Sequence, residues 1–221
     1  KMQMPVGGTK GNIQMGFYAM GSHDIVQGTN CPIQDEGNNI IAQACYQIAK
    51  EFDIEPYDEH TGKGVLRHVI GRIGQSGWMI ILVTATEHLP HQEKWVEKLT
   101  ERVPQVETIV HNVNGKRTNV ILGPKNSVLY GDGTITDHIK DLRFTLSPHS
   151  FFQVNPEQTT VLYDQALEYA DLKGNETVID AYCGTGTISL FLAHKAKHVI
   201  GIEIVEPAII NARENARHNG Y

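Results

Sequence analysis

The chain has 221 residues, 40% apolar and 20% charged, which excludes a disordered segment and is enough to bury a core in one or two domains. Acidic residues outnumber basic ones, 25 to 19, for a net charge of −6. That balance argues against a free-standing polyanion binder while leaving room for a local basic stripe.

No apolar run approaches ~18 residues, and the opening KMQMPVGGTKG lacks the apolar middle of an export signal, so no membrane partner and a cytoplasmic location are expected. The three cysteines, Cys31, Cys45 and Cys183, are scattered and include no CxxC pair, which argues against a disulfide scaffold and a four-thiolate metal site. The 11 histidines include no HExxH and no close pair, so no metal site is read from them.

In chain order, GFYAMGSHDIVQGTNCPIQ is rich in turn formers and reads as short strands and loops. NNIIAQACYQIAKEF places Ile40, Ile41, Ala44, Cys45, Ile48 and Ala49 on one helical stripe, so Cys45 reads as core rather than nucleophile. GVLRHVIGRIG and WMIILVTAT read as two strands joined by a glycine-containing turn. Pro90 opens a helix with Trp95, Val96 and Leu99 inward, and VETIVHNVN is a further strand. Helix, strand, strand, helix, strand matches most of a ferredoxin-like, split βαβ unit, which a strand near Phe17 would complete. TNVILG and SVLYG suggest a hairpin, and DLRFTLSP another strand.

A second part is read from about residue 148. Asn155 is a helix cap, Pro156 the first helical position, and Val161, Leu162, Ala166 and Leu167 the inward stripe. ETVIDAYC has the near-continuous apolar character of a parallel strand buried on two faces. TISLFLAHKA is the crossover helix, HVIGIEI the second strand, and PAIINARENARHNG the second helix. Two strands are fewer than the about five or more of a doubly wound sheet, so the expectation is a fragment of a larger domain. Its uncovered half-sheet would self-associate or be poorly ordered.

DAYCGTGTISL brings Gly184 and Gly186 to the mouth of a strand, where bare backbone approaches a ligand closely. A dinucleotide fingerprint needs a third small residue, and Ser189 stands there. An S-adenosylmethionine site needs no phosphate cradle, only the glycine turn and an acidic residue at the end of the next strand. Glu203, 17 residues after Gly186, supplies it. Such a residue serves ribose in both cofactor types, and its bland reading is a solvated strand end. Asp180 reads as a group that orders the turn by accepting backbone N–H bonds, and the glycines alone could mark only a tight connection.

SFFQVN, followed ~27 residues later by DAYCGTGTISL and then GIE, resembles the RNA uracil-5-methyltransferase family. GFYAMGSHDIV…NCPIQ, GVLRHVIGR and TNVILG resemble the central domain of its bacterial 23S rRNA branch. The resemblance implies an α/β protein: an α+β ferredoxin-like central domain over residues 1–147, then, over residues 148–221, the first β-α-β-α of a Rossmann-like methyltransferase domain. It implies S-adenosyl-L-methionine as cofactor, 23S rRNA as partner, and methylation of carbon 5 of a uridine. Gln153, Tyr182, Gly184, Gly186 and Glu203 are the implied cofactor-binding residues. Without it, Gln153 has a second reading as a loop residue capping the Asn155 helix and Tyr182 one as a core aromatic; Thr187 is a candidate for a further contact or simply the start of the helix.

In this family a cysteine thiolate adds to carbon 6, carbon 5 takes the methyl group, and a base then removes its proton. None of the three cysteines fits that role, and the family's nucleophile and base lie in motifs beyond Tyr221. No catalytic residue is therefore expected on this chain, which alone would be inactive. Some members carry a four-cysteine iron–sulfur cluster; Cys31 has no partners for one, so none is expected. The remaining candidates for RNA contact are Lys63, Arg67, His68 and Arg72. On a regular strand Arg67 and Arg72 face opposite sides unless a bulge intervenes, so a solvated charged strand is the plainer reading. Two rival functions remain: a nicotinamide-dependent oxidoreductase, and a non-catalytic RNA-binding module built on the first part.

Overall fold

Alternating apolar residues at Met2, Met4 and Val6 build the first strand, β1 (Met2–Thr9), which leads into β2 (Asn12–Tyr18) and the short β3 (Ile25–Gln27). The computed structural model describes residues 1–221 in two units, Lys1–Ile135 and Thr136–Tyr221.

In the first unit, α1 (Glu36–Glu51) is capped by Asp35, whose carboxylate accepts from Gly37 N at 2.8 Å. There follow β4 (Leu66–Ile73), β5 (Trp78–Thr84), α2 (Gln92–Arg102), β6 (Val106–Val113) and β7 (Lys125–Tyr130). The seven strands form one mainly antiparallel sheet in the order β3-β2-β1-β4-β5-β6-β7, with only β5 and β6 parallel.

This order corrects the ferredoxin-like expectation. A split βαβ inserts a strand between two parallel ones, but here α2 crosses over between adjacent partners, and β1 meets β4 antiparallel. The core lies where α1 and α2 cover one face of the sheet: Met4, Met15, Ile41, Ile48, Val69, Ile80, Leu82, Trp95, Leu99 and Ile109 are fully buried there. Burying each such side chain stabilises by about 1.5–3 kcal/mol. Ile40, expected inward, is 36% exposed at the edge of the α1 stripe.

The TNVILG segment is not a strand. Buried asparagines on and just after β6 hold it as a loop: Asn114 Nδ2 donates to the carbonyls of Val120 and Ile121, and Asn112 Oδ1 accepts from Gly123 N. Its backbone groups are therefore paired with side chains rather than with a ladder.

The second unit begins with a hairpin of β8 (Ile135–Ile139) and β9 (Leu142–Leu146), followed by α3 (Pro156–Ala170). Then come β10 (Thr177–Asp180), α4 (Thr187–Ala193), β11 (His198–Gly201) and α5 (Glu206–His218). β10 and β11 pair in parallel, from Thr177 opposite His198 to Asp180 opposite Gly201. The division precedes residue 147, where the sequence suggested it, because β9 is hydrogen-bonded to the end of α5: Thr145 N donates to Asn215 and Arg143 N to Asn219.

Asn155 caps α3 by accepting from Gln158 N. The buried residues of that helix are Thr159 and Tyr163, the latter edge-on to Phe191 of α4 at 5.1 Å; of the expected stripe, Ala166 and Leu167 are half-buried while Val161 and Leu162 are exposed. Strand β10 is covered on one face only, leaving Ile179 61% exposed. No helix is long and apolar enough to cross a membrane.

Candidate functional site

Strand β10 ends at Asp180, and residues 181–186 turn into α4. Gly184 has φ +53° and Gly186 φ +82°, conformations that favour glycine. The two glycines differ in what surrounds them. A Cβ on Gly184 would meet no atom within 4 Å, so that side of the turn is open. A Cβ on Gly186 would lie 3.3 Å from Ala212 Cβ, so Gly186 lets α5 pack against the start of α4.

Glu203, just past β11, reaches across to the turn. Its Oε2 accepts from Gly184 N at 3.1 Å, and its Oε1 accepts from Ile204 N at 2.8 Å and Val205 N at 2.9 Å. The amide of Val205, followed by those of Ile204 and Gly184, holds the carboxyl below its ordinary value. Because the folded value is depressed, the carboxylate's hold on the turn is complete above the ordinary 4.5 and is lost as pH falls through the folded value. Amide exchange should show Gly184, Ile204 and Val205 losing protection together on acidification. Glu203→Gln should remove that pH dependence.

The ordering role that the sequence suggested for Asp180 thus belongs to Glu203. Asp180 instead accepts from Ser189 Oγ at 2.6 Å, which ties the end of β10 to α4 at the position where a dinucleotide fingerprint would carry its third small residue. Cys183 is buried, its sulfur 2.9 Å from the place of a Cβ on Gly201, and its thiol is pushed up by burial and by the Asp180 and Glu203 charges. Thr187 is engaged with the Tyr163 hydroxyl at 3.0 Å.

Tyr182 is 92% exposed, so it is not a core aromatic. Gln153 is half-buried, on a segment brought to the turn by a bond from Thr185 Oγ1 to Phe151 O at 3.4 Å. A 470 Å³ cavity lies between α4 and α5, lined by Leu190, Ile209, Ala212 and Ala216 among others. Gln153, Tyr182, Gly184 and Glu203 are not in its wall. Its wall does include Cys183 and Gly186 of the turn and His198, Val199 and Gly201 of β11, so of the five expected cofactor residues it takes in Gly186 alone.

A ladder of asparagines on one stripe of α5 and its cap holds this arrangement, and nothing in the sequence reading anticipated it. Asn219 exchanges two bonds with the backbone of Arg143, at 2.9 and 2.7 Å. Asn215 accepts from Thr145 N at 2.8 Å and donates to Thr185 O at 3.0 Å. Asn211 Oδ1 accepts from the hydroxyls of Ser147 and Ser150, each at 3.0 Å. Four residues along a helix advance ~6 Å and two along a strand ~6.6 Å, so the two periods stay in step over three rungs. The readable signal was three asparagines at four-residue spacing in NARENARHN.

The basic candidates on and just before β4 separate. Lys63 is exposed, whereas Arg67, His68 and Arg72 are buried, which overturns the solvated-strand reading. A bulge between Leu66 and His68 takes Arg67 out of the regular alternation. Cys45 is fully buried in the α1 core, and its thiol is raised by that burial.

A family model described as a methyltransferase domain matches residues 172–221. A protein of Halalkalibacterium halodurans named an uncharacterized RNA methyltransferase is 52% identical over 223 aligned residues, covering 100% of this chain and 49% of that protein. One of the same description from Clostridium tetani is 50% identical, covering 99% of this chain and 48% of that protein. The chain therefore spans about half the length of the curated relatives it matches. Among solved structures, the Pyrococcus abyssi tRNA (uracil-54, C5)-methyltransferase in complex with S-adenosyl-L-homocysteine superposes with a TM-score of 0.79 at 25% identity. That match covers 99% of this chain and 52% of that one.

Proposed function

We propose that residues 136–221 form part of an S-adenosyl-L-methionine site, and that the protein methylates carbon 5 of a uridine in 23S rRNA. The observation that carries the cofactor reading is the bond from Gly184 N to the Glu203 carboxylate. A pyrophosphate cradle needs free amides at this turn. Here Gly184 N is taken by a carboxylate, Gly186 N by Cys183 O, and Cys183 N by Ile202 O. An anion approaching Gly184 would meet negative charge.

The residues fit a nucleoside without phosphates. Each carboxylate oxygen has room for about two donors. Oε1 of Glu203 already accepts two bonds and Oε2 one, which leaves Oε2 a place for a ribose hydroxyl. The open side of Gly184 admits the ligand to bare backbone, the exposed Tyr182 ring offers it a face, and the Gln153 amide suits the amino-acid end. When bound, the cofactor supplies an electrophilic methyl group.

Cys45 and Cys183 are buried with raised thiols, and Cys31 lies in the loop before α1. In this reading the attacking thiol comes from the part of the protein matching the rest of the relatives' length, and residues 1–221 alone turn over no substrate. The relatives' description as RNA methyltransferases and the resemblance of the uracil-5 motifs support the RNA and carbon-5 assignments.

Calorimetric titration distinguishes the two cofactor classes. S-adenosyl-L-homocysteine should bind, Glu203→Ala should abolish the heat, and NADH should give none. Binding of NADH that depends on Glu203, with no heat from the homocysteine compound, would replace this reading with the oxidoreductase one.

A further inference from the structure

The bulge on β4 turns a strand residue into the wall of a recess. Arg67 is 4% exposed, with its Cζ 4.3 Å from the centre of the Tyr57 ring. One arm of its guanidinium, Nη1, donates to the carbonyls of Asn114 at 2.5 Å and Lys116 at 2.8 Å. Its Nε has no hydrogen-bond partner. That Nε is enclosed, out of a ligand's reach, but Arg67 lines a recess of 190 Å³ that it shares with Tyr57, Glu59, Arg117, Thr118 and Asn119.

The opposite wall is also built from donors. Arg117 is laid across Gly62, where a Cβ would come within 2.7 Å of its Nε, and its Nη2 donates to His60 O at 2.7 Å. Gly62 sits at φ +71°, so glycine serves both the turn and the close approach. Thr118 Oγ1 accepts from Val120 N at 3.2 Å and keeps its own proton to give. Exposed Lys63 and Lys116 are the chain neighbours of Gly62 and Arg117. The one acid in the wall, Glu59, keeps its charge against the two guanidiniums, and its oxygens are engaged by neighbours: Oε1 accepts from the Tyr18 hydroxyl at 3.0 Å, and Oε2 pairs with His23 Nδ1 at 2.5 Å.

We propose that this recess is a phosphate subsite in the first unit, where Arg67 and Arg117 hold a backbone phosphate of bound RNA. Two guanidiniums with a hydroxyl and an amide beside them match the several acceptor oxygens of one phosphate. A local site of this kind reconciles RNA binding with a chain of net charge −6. Only the source of the phosphate rests on the proposed function; the donor geometry does not.

The test measures binding of a single-stranded oligouridylate by anisotropy across a series of salt concentrations. It compares the protein with Arg117→Gln and Arg117→Lys, which alter an exposed side chain. Arg117→Gln should weaken binding about tenfold and reduce the slope of log K against log salt by about 0.7, one single-strand contact. Arg117→Lys should keep the slope and lose only part of the affinity. Inorganic phosphate should compete with the oligonucleotide on the unaltered protein and not on Arg117→Gln. An unchanged slope and affinity in Arg117→Gln would overturn the proposal, and phosphate competition without any oligonucleotide effect would overturn RNA as the source. Titration with S-adenosyl-L-homocysteine, alongside, should be the same in all three proteins. If that cofactor fails to bind any of them while the oligonucleotide effects hold, the methyl-transfer reading falls and the phosphate subsite stands.

Discussion

Replacing Asn215 with alanine is expected to destabilise the second unit by about 2–4 kcal/mol and to weaken S-adenosyl-L-homocysteine binding at least tenfold. Asn215 is fully buried and is the middle rung of the ladder between α5 and β9. The substitution removes two hydrogen bonds and leaves Thr145 N and Thr185 O without their partner. An orphaned buried group such as Thr185 O costs about 1–3 kcal/mol, with the half-buried Thr145 N adding about 1, against which the better helix propensity of alanine returns only about 0.5 kcal/mol. The effect reaches the site because Thr185 lies between Gly184 and Gly186. Its carbonyl is held by Asn215 and its hydroxyl reaches Phe151 O, two residues before Gln153. One side chain thus fixes the glycine turn, and through it the segment carrying Gln153.

The control is Asn219→Ala at the exposed end of the ladder, where water replaces the lost bonds and the cost should stay within about 1 kcal/mol. Trp78 and Trp95 both lie in the first unit, so tryptophan fluorescence is blind to this change. Amide exchange over β10, α4 and β11 is the measurement. Equal protection in Asn215→Ala and the unaltered chain would show that the ladder does not hold the turn.

What the sequence made legible follows from what each pattern encodes. The stripe of α1 was readable because its inward residues from Ile41 onward are apolar and recur at helical spacing, with Ile40 at the edge; the buried Asn38 and Asn39 of its first turn were not read. The glycine turn and Glu203 were readable because a positive-φ turn and an acid at the next strand end are local features. The second strand pair was read as far as its elements but not its burial. An apolar run states that a face can be covered, and Ile179 shows that on β10 one face is not.

The failures share a cause as well. The loop at residues 118–123 has strand-like residues, but Asn112 and Asn114, six to eleven residues before the groups they bond, satisfy its backbone by side chain. The asparagine ladder escaped notice because polar residues on a helix read as solvent-facing, and only a hydrogen-bonded partner at matching spacing makes such a stripe an inward one. The sheet order of the first unit depends on which strands pair, and element order alone fits several pairings. Arg67 and Arg72 were correctly seen to need a bulge in order to act together. The bulge exists, and both arginines are buried in the middle of the sheet rather than forming a basic stripe.

His68 should make the first unit markedly acid-sensitive, by on the order of 3 kcal/mol between the ordinary histidine value of 6.5 and about 4. The ring is buried on β4. Burial is the main cause that pushes its value down to about 4; the Arg67 charge adds to this, and Glu59 opposes it. The unfolded chain therefore binds a proton in this window that the folded chain refuses. The stabilising contribution is complete above 6.5 and drains away as pH falls towards 4.

His111, also lowered chiefly by burial and bonded to Thr84 Oγ1 at 2.6 Å, adds a slope of the same sign. Trp78 and Trp95 report on this unit, so urea midpoints followed by their fluorescence across the window measure the effect. His68→Gln keeps a polar, neutral side chain in place. It should flatten the curve by His68's share and leave the smaller contribution of His111. A midpoint that declines equally in both proteins would mean that His68 takes up its proton as readily in the fold as in the unfolded chain. The buried ring would then have found an acceptor for that charge, with Glu59 the nearest candidate.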